Sequence, residues 1–159
     1  MVCKTCLQYR PPNPPPPSTL KKSLLFNETL SIDVFSWHVE DVTIPVVVLL
    51  GEATKFVQSR ETKKNYTARD LTDMIEETWI SWAGRPERLR LDEDGPHTAN
   101  ELQDWTDLWC IYPEVVAGER SWSMGIIGRH QQLFREMLSK TQESTKMDPK
   151  KCLFWCQKC

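Results

Sequence analysis

The stretch LSIDVF (residues 30–35) places a carboxylate in the middle of an apolar, β-branched run. Such a run predicts a β-strand, which we extend over residues 28–39, ETLSIDVFSWHV. Aspartate is depleted in strands, so Asp33 stands at a position where a strand ordinarily carries another residue type. A carboxylate placed there is a candidate functional group, and the rest of the sequence has to supply its partners.

Four further strands and three helices follow along the chain. TIPVVVLLGEAT and KFVQSRET come next and predict an antiparallel meander with the first strand. The apolar period then changes to that of helices, which alternate with two short strands, ERLRLDED and IYPEVVA. The order β-β-β-α-β-α-β-α predicts an α/β fold, a five-stranded mixed sheet flanked by helices.

Two helix starts carry capping signals. Thr67 precedes the first helix, with Asp70 three residues later, and Gly84 ends that helix. Thr98 and Glu101 predict a capping box at the start of the second helix. The third helix lies within SWSMGIIGRHQQLFREML (residues 121–138) and contains two glycines.

Composition narrows the class of protein. The 159 residues are 40% hydrophobic and 26% charged, which is typical of one soluble domain with short tails. No apolar run reaches the roughly 18 residues of a membrane span, and no signal peptide is recognisable, so we expect no membrane contact and an intracellular protein, nuclear or cytoplasmic and not secreted. The net charge of −2 gives no strong basic field, so any DNA contact needs local basic patches or a bridging metal.

The two ends differ from the middle of the chain. PPNPPPP (residues 11–17) predicts a polyproline II spacer, although such runs also dock in aromatic grooves. We divide the chain into residues 1–10, a linker at residues 11–20, a core at residues 21–142 and a cysteine-containing tail at residues 143–159. We expect residues 1–20 and 145–159 to lie outside the core.

A second aspartate, Asp92, ends the fourth predicted strand. In a mixed sheet of this order the first and fourth strands can be neighbours, which would bring Asp92 next to Asp33. Two carboxylates from adjacent strands form a hard-oxygen site suited to Mg²⁺ or Mn²⁺. Asp92 taken alone is equally well explained as an ordinary exposed residue at a strand end.

Three motifs in order resemble the catalytic core of retroviral-type and retrotransposon integrases, which have an RNase H-like fold. They are LSIDVF, RPERLRLDEDGPHTANELQDW (residues 85–105) and AGERSWSMGIIGRHQQLFREML (residues 117–138). The resemblance covers residues 24–142 and is nearest to copia- or gypsy-like elements. It implies DNA integration by two-metal phosphoryl transfer with Mg²⁺ or Mn²⁺, and Asp33 and Asp92 as catalytic metal ligands.

The third carboxylate of the family is a glutamate that follows the second aspartate after 35 residues. At that spacing from Asp92 this sequence has Gly128. The resemblance therefore implies an integrase-like protein with impaired catalysis, a pseudoenzyme with one weak metal site. Neighbouring Glu93 and Asp94 are the nearest acidic substitutes.

The resemblance also implies partners. Arg120, Arg129 and His130 are the positions expected to approach DNA, and a homo-oligomer or other integrase subunits are the expected protein partners. A non-catalytic nucleic-acid or protein interaction module with the same fold remains an alternative. A third hypothesis is an unrelated α/β domain with a zinc-binding tail.

The cysteines concentrate at the two ends. Cys3 and Cys6 resemble the cysteine half of the family's N-terminal zinc module, and we expect residues 1–10 to be a remnant of it. CLFWCQKC ends the sequence, and Cys156 and Cys159 complete a Cys₄ zinc site if the two ends meet. The alternative is that both ends are free of metal.

Overall fold

A five-stranded mixed sheet forms the centre of the molecule. The computed structural model describes residues 23–39, 41–93, 96, 98–116 and 125–156, with only the backbone of Trp155. Within these residues the sheet has the order β3-β2-β1-β4-β5. Its strands are β1 (Thr29–Val39), β2 (Val42–Gly51), β3 (Val57–Glu61), β4 (Arg88–Asp92) and β5 (Tyr112–Val116).

The pairing directions match the predicted fold class. β1, β2 and β3 form the antiparallel meander, whereas β4 pairs with β1 in parallel and β5 pairs with β4 in parallel. Parallel neighbours need long crossover connections, and helices supply them here. The prediction of a five-stranded mixed sheet flanked by helices is confirmed, as is the pairing of the strand that holds Asp33 with the strand that ends at Asp92.

The helices flank this sheet. They are α1 (Ala68–Ile75), which continues through a π-helical segment (Glu76–Ile80) into α2 (Ser81–Ala83), then α3 (Asn100–Leu108), α4 (Gly125–Thr145) and α5 (Pro149–Cys156). Of the helices in the described residues, none is both long enough and apolar enough to cross a membrane.

One face of the sheet packs against α1 and α3. Side chains alternate between the two faces of a strand, so even-numbered residues of β1 and odd-numbered residues of β4 point to this side. They join the buried residues of the helices in one apolar cluster, which includes Leu30, Ile32, Leu89, Leu91, Leu71, Ile75, Trp79 and Leu102.

The opposite face packs against α4 and α5. A second apolar cluster on this side contains residues of β1, β2, β5 and both helices, namely Phe35, Trp37, Ile44, Val46, Val48, Leu50, Val116, Ile127, Leu138, Cys152, Leu153 and Cys156. The ring of Phe134 meets Phe35 edge-on at 6.3 Å, and the guanidinium of Arg135 lies 4.6 Å from the centre of the Phe35 ring. The sheet is therefore covered on both sides.

The expectation that residues 145–159 lie outside the core is wrong for the part that the structure describes. Helix α5 packs on α4, where the thiol of Cys152 donates to the carbonyl oxygen of Leu138 at 3.7 Å. Cys152 and Leu153 are buried because the helix turns them toward the second apolar cluster. Residues 157–159 and residues 1–20 lie outside the described residues, so for them the expectation stays a prediction.

Candidate metal centre

Asp33 and Asp92 belong to one row of residues that crosses the sheet. The parallel ladder between β1 and β4 ends with the pair Ser31–Arg90, and its register, continued by two residues, places Asp33 opposite Asp92. On the outer sides of this pair, Asp33 is opposite Val48 of β2, and Asp92 is opposite Val116 of β5. We call Asp33 and Asp92 the carboxylate pair.

The carboxylate pair lies on the sheet face that carries α4. Cross-strand partners share a face, and Val48 and Val116 both belong to the apolar cluster that contains Ile127 of α4. Both aspartates are half-buried. A carboxylate oxygen of Asp33 accepts a hydrogen bond from the backbone N–H of Val34 at 2.7 Å. The two carboxylates that the sequence singled out therefore lie on the same face of two neighbouring strands.

Gly128 lies near the beginning of α4 and is exposed. Its neighbour Ile127 is buried in the same cluster as Val48 and Val116, so this end of α4 packs on the face that carries the carboxylate pair. A Cβ atom placed on Gly128 would meet no heavy atom within 4 Å. A larger side chain therefore fits there, while the assignment of Gly128 to the third carboxylate stays a prediction.

The remaining predicted site residues divide into two groups. Arg129 is exposed on α4, and the Nδ1 atom of the half-buried His130 lies 2.8 Å from the carbonyl oxygen of Ile126, which makes His130 Nδ1–H the donor. Arg120, Cys3, Cys6 and Asp94 lie outside the described residues, so the structure says nothing of them.

The donor set around the carboxylate pair fits a hydrated cation. Throughout the described residues, no three His, Cys, Asp or Glu side chains are grouped so as to hold a metal ion. Mg²⁺ is ordinarily held by one or two carboxylates and keeps several of its water ligands, whereas a closed all-protein site is unusual for it. Two half-buried carboxylates on one face match that requirement for a single ion.

A buried ionic cluster, which the sequence pattern does not predict, lies beside the carboxylate pair. Arg90 donates to Glu114 at 2.9 Å and 3.1 Å and forms an ion pair with Glu52. The hydroxyl of Ser31 donates to the same oxygen of Glu52 at 2.5 Å. We call these four residues the arginine cluster. Its sequence signal is RLRLD (residues 88–92), where Arg88, Arg90 and Asp92 alternate with leucines and so share a face.

Comparison with known proteins identifies the fold. No family model matches the chain, and no curated protein matches it. Among solved structures, the chain is similar to a protein in the simian T-cell lymphotropic virus intasome in complex with the PP2A regulatory subunit B56 gamma. The TM-score is 0.80 at 17% identity, over 98% of this chain and 55% of that one. The chain thus spans about 55% of the length of that neighbour.

Isolated catalytic cores give the same result over most of both chains. The HTLV-2 integrase catalytic core domain in complex with magnesium, in a dimeric form, matches with a TM-score of 0.69 at 16% identity, over 84% of this chain and 86% of that one. The catalytic core domain of BIV integrase matches with a TM-score of 0.67 at 14% identity, over 82% of this chain and 81% of that one.

At such low sequence identities, the structural similarity establishes the fold and no more. The chain has the RNase H-like fold of retroviral integrase catalytic cores, as the sequence motifs predict. The third hypothesis, an unrelated α/β domain with a zinc-binding tail, shares the α/β class of this fold, and its zinc-binding tail stays a prediction.

Proposed function

We propose that the chain is an integrase-core-like protein of a retroelement that binds nucleic acid and a divalent cation and is impaired in catalysis. The observation that carries this proposal is the parallel pairing of β1 with β4 in an integrase-core fold, because its register, continued by two residues beyond Ser31–Arg90, would set Asp33 opposite Asp92. The copia- or gypsy-like origin rests on the sequence motifs alone.

The carboxylate pair provides the chemistry. Asp33 and Asp92 would hold Mg²⁺ or Mn²⁺, and a cation there would supply the positive charge that phosphoryl transfer needs at the attacking and leaving oxygens. Asp33 and Asp92 would contribute the oxygen ligands, beside the apolar cluster on the α4 face of the sheet. An HTLV-2 integrase core of the same fold has been solved in complex with magnesium, which supports this choice of ion.

The impairment follows from the number of carboxylates. Two-metal phosphoryl transfer needs ligands for two ions, and Asp33 and Asp92 suffice for one. Gly128 contributes no side chain from α4, so a second ion would lack a protein ligand from this helix. Loss of a metal ion removes several kcal/mol of transition-state stabilisation.

The partners follow from the same proposal. We infer that DNA approaches the exposed side of α4 through Arg129 and His130, with Arg120 before the helix. HTLV-2 cores of this fold are described in dimeric and trimeric forms, which supports a homo-oligomer or assembly with other integrase subunits. We expect the protein to work in the nucleus or cytoplasm.

An interaction module without catalysis is the second candidate. An exposed aromatic surface favours it: the ring centres of Trp82 and Phe56 lie 5.2 Å apart, that of Phe26 lies 6.3 Å from that of Trp82, and each residue is about half exposed. Exposed apolar patches of this kind often contact partner proteins. This candidate predicts binding of partners that is unaffected by Mn²⁺ and by substitution of Asp92.

Metal affinity tests the proposal. We would titrate Mn²⁺ into the full chain and into Gly128→Glu, Gly128→Glu/Asp92→Asn and Gly125→Glu, and measure binding by calorimetry. Gly128→Glu is expected to bind Mn²⁺ at least tenfold more tightly than the parent, because a third carboxylate joins the pair. Asp92→Asn should remove that gain.

Gly125→Glu is the matched control. Gly125 is also exposed at the start of α4, and a Cβ atom there meets nothing within 4 Å. The same charge is thus added to the same helix three residues earlier, about 60° away around the axis and about 4.5 Å along it. If Gly125→Glu tightens binding as much as Gly128→Glu does, or if Asp92→Asn leaves the gain intact, Gly128 is not the position of the third carboxylate.

A further inference from the structure

Arg90 is a charged side chain buried almost completely inside the sheet. Only 4% of its side-chain surface is exposed, and the side chain of its partner Glu52 is 6% exposed. The guanidinium meets two carboxylates, Glu52 on one side and Glu114 on the other. Glu52 is also bound by Ser31, whose hydroxyl donates to it at 2.5 Å.

The arginine cluster ties together the strands that carry the carboxylate pair. Ser31 lies on β1, Arg90 on β4 and Glu114 on β5, and the three are direct cross-strand partners in register. Glu52 follows the last residue of β2, and its backbone N–H donates to the carbonyl oxygen of Thr29 at 3.0 Å. One guanidinium therefore bridges groups from β1, β2 and β5 through its two glutamates.

The arginine cluster is adjacent to the carboxylate pair. Ser31, Arg90 and Glu114 precede Asp33, Asp92 and Val116 by two residues each, so they share the same sheet face. Two residues along a strand span about 6.6 Å. The cluster is thus the next row of side chains, one row nearer to the beginning of β1 and β4.

The ladder ends where the arginine cluster lies. Backbone pairing between β1 and β4 stops at Ser31–Arg90, whereas the ladder between β4 and β5 continues to Asp92. The ladder with β5 therefore includes Asp92. The last pair of the ladder with β1 is Ser31–Arg90, and the ion pairs of Arg90 lie at this pair.

Stability alone does not explain such a cluster. Charges are costly to bury, and apolar side chains of similar volume commonly give equal or greater stability at such positions. One arginine and two glutamates also leave a net charge of −1 next to the carboxylate pair, which favours a cation.

We propose that Arg90 is a positioning residue for the carboxylate pair. Anchored by Glu52 and Glu114, it holds the end of β4 against β1 so that Asp92 stays opposite Asp33 and both face one ion. This inference rests on the proposed metal binding and adds to it the part of the sheet that sets the affinity.

The test separates metal affinity from stability. The variant Arg90→Met/Glu52→Gln/Glu114→Gln replaces all three charges with side chains of similar volume, and Arg90→Lys keeps the charge but loses the forked contacts. We would measure Mn²⁺ affinity by calorimetry, well below the melting temperature of every variant, and Tm without metal. Arg60→Met/Glu77→Gln is the matched control, because it removes an exposed ion pair of 2.8 Å on the other side of the sheet.

The triple variant is expected to melt within a few degrees of the parent and to bind Mn²⁺ at least tenfold more weakly, with the control unchanged in both. Broadening of backbone NMR signals by Mn²⁺ should then persist at Asp33 and weaken at Asp92. Parental affinity in the triple variant overturns the proposal. If the triple variant does not fold, Arg90→Lys decides: weaker Mn²⁺ binding at an unchanged Tm supports the proposal, and unchanged affinity overturns it.

A different variant, Asp92→Asn, tests the proposed metal binding separately from the role of Arg90. If Asp92→Asn in the otherwise unchanged chain leaves Mn²⁺ binding at the parental level, the carboxylate pair is not the metal site. If Asp92→Asn abolishes binding but the arginine cluster variants bind like the parent, only the positioning role of Arg90 is lost.

Discussion

Two glycines, Gly51 and Gly128, differ in the space around them: the first is crowded and the second is open. Gly51 ends β2, and a Cβ atom there would come within 2.9 Å of the ring of Trp79 and 3.2 Å of the hydroxyl of Thr54. Trp79 cannot yield easily, because it is fully buried and its indole N–H donates to the side chain of Asn27 at 2.8 Å. Gly128 has nothing within 4 Å of its Cβ position. The first glycine is required by packing, and the second is not.

Alanine at these two positions should therefore act in opposite directions. We expect Gly51→Ala to destabilise the protein by about 1–3 kcal/mol through overpacking against Trp79. Gly128→Ala should stabilise it by about 0.5–1 kcal/mol, because alanine is the better helix former. Urea denaturation monitored by tryptophan fluorescence measures both, and a Gly51→Ala variant as stable as the parent would show that Trp79 adapts.

Single residues differ in how far the sequence reveals their role. Asp33 is conspicuous because a carboxylate is unusual within an apolar strand, and Asp92 follows from the motif around it. Arg90 is inconspicuous, since its partners Glu52 and Glu114 are distant in sequence and meet it only through the strand order. Side-chain alternation predicts the face of Arg90, but not the ion pairs.

At the scale of elements, the sequence predicts some helix ends correctly and others not. The N-cap predicted at Thr67 is confirmed, and it forms a capping box with Asp70: each side chain accepts from the backbone N–H of the other, at 3.2 Å and 3.0 Å. Helix α3 differs from the prediction, because its N-cap is Ala99, which has no side-chain acceptor, instead of Thr98. The π-helical segment also went unpredicted, since an apolar period near 3.6 does not register a single wider turn.

The cap of α1 should be visible in the titration of Asp70. The hydrogen bond from Lys63 and then those from Thr67 lower the pKa of Asp70 from 3.8 to about 2. Because the pKa is lower in the folded state, the stabilisation by the ionised carboxylate is present above pH 3.8 and is lost as the pH falls toward 2. ¹³C NMR should show Asp70 still ionised at about pH 3.

Substitutions at the cap should raise the pKa of Asp70 by different amounts. We expect Lys63→Met to raise it most, Thr67→Val to raise it less, and Thr67→Ser to leave it nearly unchanged, because serine keeps the hydroxyl donor. A titration of Asp70 near its ordinary value in the parent protein would contradict the capping geometry.

At the scale of the whole molecule, the order of elements was enough to predict the architecture. Three strands in a meander followed by alternating helices and strands leave few arrangements of a mixed sheet, and the observed order β3-β2-β1-β4-β5 is one of them. The sequence does not predict the C-terminal helix, because PKKCLFWC is short and rich in lysine and cysteine, a composition also typical of a tail. Its burial depends on contacts with α4 that no local pattern displays.

Neighbouring residues of α5 test whether this helix belongs to the core. Leu153 is 2% exposed within the second apolar cluster, whereas Phe154 is 54% exposed. Leu153→Ala should therefore destabilise the protein by about 2–5 kcal/mol, through lost apolar contacts and the cavity left behind. Phe154→Ala is the control in the same turn and should change stability by less than about 1 kcal/mol. Equal effects of the two substitutions in urea denaturation would mean that α5 does not pack on α4 as described, and the boundary of the core would return to residue 142. The larger effect at Leu153 would make α5 part of the folding unit, since one cooperative transition would then include β1, β2, α4 and α5.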